Sequence, residues 1–204
     1  MDLALFDFDG TITERETMPD FMLAAVRPGR LIVGKLVFLP LVLGYKLGII
    51  SGSVVRAAIC RFGFWGVPAA ELEQHGLAFA EQFLPSVLRE QAMKRIAWHK
   101  SRGDRIVVVS GGLDLYLSHW AKAHGLELLC SSLEQREGRF TGRYRGAQCV
   151  RAEKVRRVQE ALNAGNYQRV FAYGDTPEDH ELLAMAHEAY YQWQPMAPTV
   201  QSGR

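Results

Sequence analysis

Hydrophobic residues follow two different periods along this chain. Short apolar runs predict strands at LALFDF (residues 3–8), RIVVVSGG (105–112), LELLC (126–130), RVFAYGD (169–175) and EAYYQW (188–193). Longer stretches with helical spacing predict helices over 14–26, 30–48, 52–62, 68–83 and 86–102, then over 113–124, 151–165 and 176–186. REGRFTGRYRG (136–146) alternates aromatics with turn glycines and predicts a hairpin. Strands alternate with helices, except for a helical block after the first strand. The pattern predicts an α/β fold, an open parallel sheet carrying a helical insertion.

In such sheets ligands bind beyond the carboxyl ends of the strands. Asp7, Ser110 and Asp175 all fall at predicted carboxyl ends, far apart in sequence. Asp7 and Asp9 pose a physical problem, since paired acids near a core repel unless a cation joins them. Asp7, Asp9 and Asp175 offer hard oxygen ligands that suit Mg²⁺. Ser110 offers a hydroxyl, and Gly111 and Gly112 are expected to expose backbone N–H groups at a helix start, where an anion binds. Lys154 adds a cation. Acids, a metal, a lysine and an anion cradle together point to phosphoryl transfer through a carboxylate nucleophile.

FDFDGTIT, VVVSGG, Lys154 within CVRAEKV, and GDTPEDHELL resemble, in order, the four motifs of the haloacid dehalogenase-like phosphohydrolases. The helical insertion after the first motif resembles the small-cap branch that contains phosphoserine phosphatase. The resemblance implies a Rossmann-like core and a Mg²⁺-dependent phosphomonoesterase with an aspartyl-phosphate intermediate. It implies Asp7 as nucleophile and Asp9 as the acid and base. Ser110 and Lys154 would hold the phosphoryl group, with Gly10, Thr11 and Gly111 around it. Asp175 would hold the metal with Asp7 and the Asp9 carbonyl, and Asp179 would support that shell. Thr176 replaces a serine common in the family and keeps the hydroxyl. The implied division is a core of residues 1–13 and 86–194, a helical cap of 14–85 and a flexible tail of 195–204.

Some of these residues also have plain structural readings. Thr13 and Glu16 fit a helix capping box, and a glutamate matching Glu16 contacts the substrate amine in phosphoserine phosphatases. Thr176, Pro177 and Asp179 read as a helix start as well. Arg56 is a candidate substrate contact from the cap. Cys130 to Arg136 fits the C-x5-R spacing of cysteine phosphatases, but SSLEQ lacks a glycine and Glu134 would repel an anion, so Cys130 is read as a buried hydrophobe.

The substrate is expected to be a small phosphorylated metabolite. The alternative is a lipid phosphate, because the cap is loosely similar to that of phosphatidylglycerophosphatase C. Residues 30–50 are strongly apolar, but Lys35, Lys46 and Pro40 interrupt them. That segment is expected to be packed helices, with peripheral membrane contact as the alternative reading. A third reading, of another class, is a non-enzymatic phospho-accepting module. The chain has 204 residues and a net charge of +2, too small to suggest nucleic acid. Three widely spaced cysteines and an N-terminus carrying Asp2 and Asp7 suggest a cytoplasmic protein. Nothing in the sequence sets the oligomeric state.

Overall fold

A computed structural model describes residues 1–162 and 167–196. Six strands form one sheet: β1 (Leu3–Phe6), β2 (Arg105–Leu113), β3 (Glu127–Ser131), β6 (Val170–Gly174), β7 (Glu188–Tyr191) and β8 (Gln194–Pro195). Their order is β3-β2-β1-β6-β7-β8, parallel except for the last pair. β4 (Leu133–Arg136) and β5 (Arg139–Tyr144) form a separate antiparallel hairpin. Glu137 and Gly138, its two-residue loop, both have positive φ, as a type I′ turn needs.

The sheet is buried on both faces, and the pleat sorts its residues accordingly. Ala4, Phe6, Ile106, Val108, Phe171 and Tyr173 enter one core cluster. Leu3, Leu5, Val107, Val109, Val170 and Ala172 enter the other. The first cluster continues into α5 (Glu90–Ser101), α6 (Asp114–Ala123) and the helical block. The second includes Val158 of α7 (Ala152–Ala161) and Leu182 and Leu183 of α8 (His180–Ala184).

The block contains α1 (Met18–Ala25), α2 (Pro28–Lys46), α3 (Gly52–Phe64) and α4 (Ala69–Ala78). A π-turn (Phe79–Phe83) and a 3₁₀ turn (Leu84–Val87) follow α4. Phe21, Phe64, Phe79 and Tyr116 pack as an aromatic cluster that joins the block to α6. α4 approaches α6 so closely that a Cβ on Gly76 would lie 2.0 Å from the Leu115 carbonyl oxygen. The chain leaves and rejoins the sheet layer through paired segments. Glu14 donates its N–H to Val87 O at 2.9 Å, and Arg89 donates to Ile12 O at 2.8 Å.

Several boundaries differ from expectation. The first helix begins at Met18, not residue 14, because Thr13 bridges to Leu88 and stays extended. The Thr13–Glu16 capping box therefore does not form, and Thr13 Oγ1 donates to the carbonyls of Phe8 and Arg15. The fifth helix starts at Glu90 for the same reason, with Leu88 extended by that bridge. α2 runs through the exposed Pro40 without interruption. α2 packs on α3 through Phe38 and Phe62, but only Gly34 of it is buried, so within this chain it is less covered than a buried helix would be. β2 continues to Leu113, so Gly111 and Gly112 end a strand and do not begin a helix. The last predicted strand stops at Tyr191, where Gln192 and Trp193 turn with positive φ into β8. The far end of the predicted helix 151–165 and most of the predicted tail lie outside the described residues.

Candidate active site

Parallel register brings the chemistry together. Phe6, the end of β1, pairs with Val108 of β2 on one side and Tyr173 of β6 on the other. Asp7 follows, its N–H donating to Tyr173 O at 2.9 Å. Asp175 follows Gly174 at the end of β6. α7 brings Lys154, and the turn after β6 brings Asp179.

The cation that joins these acids inside the chain is Lys154. Its Nζ lies 2.5 Å from Asp7 Oδ1 and 2.6 Å from Asp179 Oδ1, and all three side chains are buried. Burial pushes the Lys154 pKa down, but the two carboxylates outweigh it and hold the pKa above the lysine range. Burial holds Asp7 well above the usual carboxylate range, against the pull of Lys154. Asp179 ends below that range. Burial raises it, but Lys154 and hydrogen bonds from the Thr176 and Asp175 backbones lower it further.

Asp9 is held separately. Its Oδ1 accepts from Thr17 N at 2.7 Å and Thr17 Oγ1 at 2.5 Å. Burial raises its pKa, and the Thr17 bonds oppose that rise. Asp175 accepts from Thr11 Oγ1 at 3.1 Å and is pushed up to about 6, mainly by burial. Gly10, with φ of +78°, lies against it. A Cβ there would sit 2.1 Å from Asp175 Oδ2, so both the turn and the close approach require glycine.

Asp7, Asp175 and Asp179 each offer an oxygen within 4.8 Å of the others. Three hard carboxylate donors at one strand end suit Mg²⁺. Asp7, Asp9, Glu16, Arg56, Gly111, Gly112, Lys154 and Asp179 share one cavity of about 30 Å³. Gly10 and Asp175 face a neighbouring cavity with Glu14, Arg89 and Trp193. Ser110 is fully buried behind the first cavity, and its Oγ accepts from Gly112 N at 2.9 Å. Glu16, at the solvent-exposed edge of the cavity, has its pKa raised by partial desolvation and by the charge of Asp9. Arg56 reaches from α3 to Glu178, with Nη2 at 2.9 and 3.0 Å from the two carboxylate oxygens.

Thr17, Glu178 and Gln148 were not singled out in the sequence. Gln148 accepts from Arg56 Nε at 3.1 Å and donates to the Ser53 carbonyl at 2.7 Å. A start of α1 at residue 18 would have exposed Thr17 as the residue before it. Thr176 and Asp179 do form a capping box, so Asp179 both caps a turn and grips Lys154. Cys130 lies at the edge strand β3, its thiol pKa pushed up by burial, while Arg136 pairs with Glu134 on an exposed hairpin. That arrangement forms no phosphate loop.

The chain belongs to the haloacid dehalogenase-like hydrolases, matching that family over residues 4–184. It is 33% identical over 196 residues to protein CicA of Caulobacter vibrioides, across 93% of this chain and 85% of CicA. A Bordetella pertussis Tohama I protein of unknown function shares the fold, with a TM-score of 0.80 at 24% identity over 93% of this chain and 89% of that one. A phosphoserine phosphatase carrying a phospho-aspartyl intermediate analogue also shares it, with a TM-score of 0.68 at 20% identity over 93% and 85%. The protein is therefore a hydrolase with the α/β fold seen in phosphoserine phosphatases.

Proposed function

We propose that this hydrolase is a Mg²⁺-dependent phosphomonoesterase acting on a small phosphorylated substrate through an aspartyl-phosphate. One observation carries the reading: Asp7, Asp175, Asp179 and Lys154 arrive from three separate segments, the ends of β1 and β6 and helix α7, at one end of the sheet, with Asp9 beside them.

In the first step an oxygen of Asp7 attacks phosphorus and the ester P–O bond breaks. The leaving oxygen takes a proton from Asp9, which Thr17 orients. In the second step Asp9 takes a proton from water as that water attacks phosphorus. The bond from phosphorus to Asp7 breaks, and inorganic phosphate leaves. Lys154 balances charge on Asp7 and on the transferring group, and Ser110 and Gly111 border the phosphoryl position. Asp7, Asp175 and the Asp9 carbonyl would hold the metal, with Asp179 supporting them. The metal supplies neutralisation of the phosphoryl oxygens. Residues 14–85 act as a cap on a core of 1–13 and 86–194, and Glu16 and Arg56 face the leaving group from the cap side.

The test is hydrolysis of p-nitrophenyl phosphate. Activity should require Mg²⁺, vanish on chelation and survive alkylation of the cysteines. Asp7→Asn should abolish activity and phosphoenzyme formation, and Asp9→Asn should slow turnover by about 10²–10⁴-fold. Full activity in Asp7→Asn, free of deamidation, overturns the assignment.

A further inference from the structure

A second cavity opens on the helical block. It has a volume of about 600 Å³ and lies between α1, α2 and α3. That size falls within the roughly 300–1,000 Å³ typical of small-molecule pockets. Its walls are apolar, with Met22, Leu31, Phe38, Val42, Val55 and Ile59 among them, and its charged members are Glu16, Arg30, Lys35 and Arg56. Glu16, Met18 and Arg56 also line the catalytic cavity. The groove and the catalytic cavity therefore adjoin across these three residues. A polar leaving group does not need such a wall, and an apolar channel left to water is costly.

We propose that the groove holds a long hydrocarbon chain of the substrate, whose phosphate sits at Asp7. The proposal rests on the phosphomonoesterase reading and narrows its substrate class to amphiphilic phosphomonoesters. The shared wall names the occupant, because a chain attached to the leaving oxygen needs to pass only Met18 and Arg56 to enter the groove. The far side of α2 fits the same chemistry. Ile32, Leu36 and Val37 are 66%, 74% and 57% exposed. The helix has 19 residues, about 28 Å at 1.5 Å per residue, with one face on the groove and the other facing outward. An outward apolar face of this kind suits a bilayer surface, from which such a substrate would be drawn.

The experiment compares butyl, octyl and dodecyl phosphate as monomers, by turnover with the wild-type protein and by calorimetric binding to Asp7→Asn. The same dodecyl phosphate is also presented in phosphatidylcholine vesicles. Affinity and kcat/KM are expected to rise about tenfold for each two methylenes until the groove is filled. Leu39 lines the groove and is half exposed, so a charge there is tolerable to folding. Leu39→Glu should flatten the ratio of dodecyl to butyl turnover. Equal binding and turnover of butyl and dodecyl phosphate overturns the groove. So does a gain with chain length that appears only in vesicles, since that assigns the effect to recruitment by the outer face of α2. If p-nitrophenyl phosphate is not hydrolysed while dodecyl phosphate still binds more tightly than butyl phosphate, the phosphomonoesterase reading fails and the groove stands.

Discussion

Lys154 shows how one residue organises this site. A lysine this deeply buried is costly unless it is paired, and here it bridges Asp7 and Asp179. Removing the cation leaves two buried carboxylates facing each other. Lys154→Met should therefore cost about 3–5 kcal/mol of stability, read as a lowered urea midpoint. Mg²⁺ should return part of that loss if these carboxylates hold it. Thr17 works on a smaller scale, aligning Asp9. Thr17→Val keeps the backbone donor and loses the hydroxyl, so kcat should fall about tenfold with little change in KM. A rise in KM alone would place Thr17 in substrate binding instead.

His99 behaves differently, because it is structural. It is fully buried, with Nδ1 2.9 Å from Asp104 and Nε2 2.9 Å from the Tyr173 hydroxyl. Burial lowers its pKa, and Asp104 only partly opposes that. The folded state therefore prefers neutral His99, while an unfolded chain binds a proton near pH 6.5. Its contribution is complete above that value and is lost as pH falls from there to the lowered folded pKa. The urea midpoint should decline across that window, and His99→Gln should flatten the decline. An unchanged slope in the variant would remove His99 as its source.

At the scale of elements, the strands and their carboxyl-end residues were legible because short apolar runs ending in Asp or Gly have few other stable uses. The aspartates, Lys154 and the sheet followed from that pattern together with the motif order. The start of α1 was not legible. Thr13–x–x–Glu16 satisfies the local capping rule, but pairing of residues 12–14 with 87–89 overrides it. The same long-range pairing shifts α5 and hides Thr17. Gly111 and Gly112 misled in a related way. Their strand continues because Leu113 still pairs with Ser131 of β3. Arg56 could be read only as a spare cation, since its partners Gln148 and Glu178 lie 92 and 122 residues away. The groove was invisible in the sequence, since an apolar helix reads the same whether its face meets another helix or an open channel.

Across the whole molecule, the catalytic cavity is narrow. About 30 Å³ holds at most a couple of water molecules, so a phosphomonoester enters only if the helical block moves relative to the sheet. Three sets of contacts resist that motion, one of them the backbone bonds of Gly66 and Val67 with Phe140 and of Ala69 with Gly138 on the β4–β5 hairpin. The paired segments at 12–14 and 87–89 are the only covalent links between block and sheet, and their backbone bonds form a short ribbon. Arg56 clasps Glu178 and Gln148, while Gln148 also holds the Ser53 carbonyl. Arg56 and Glu178 line the catalytic cavity itself, so theirs is the contact whose loss is expected to loosen α3 beside it. Arg56→Met keeps the aliphatic stem and removes the clasp. Hydrogen exchange should then accelerate in α3 while the amides of Glu14 and Arg89 and those of β1 and β2 keep their protection. Vanadate bound at the catalytic cavity should slow α3 exchange in the wild-type protein more than in the variant. Unchanged α3 exchange in Arg56→Met would mean that the aromatic contact of Phe21, Phe64 and Phe79 with Tyr116 and the bonds to the β4–β5 hairpin, rather than the arginine, hold the block in place.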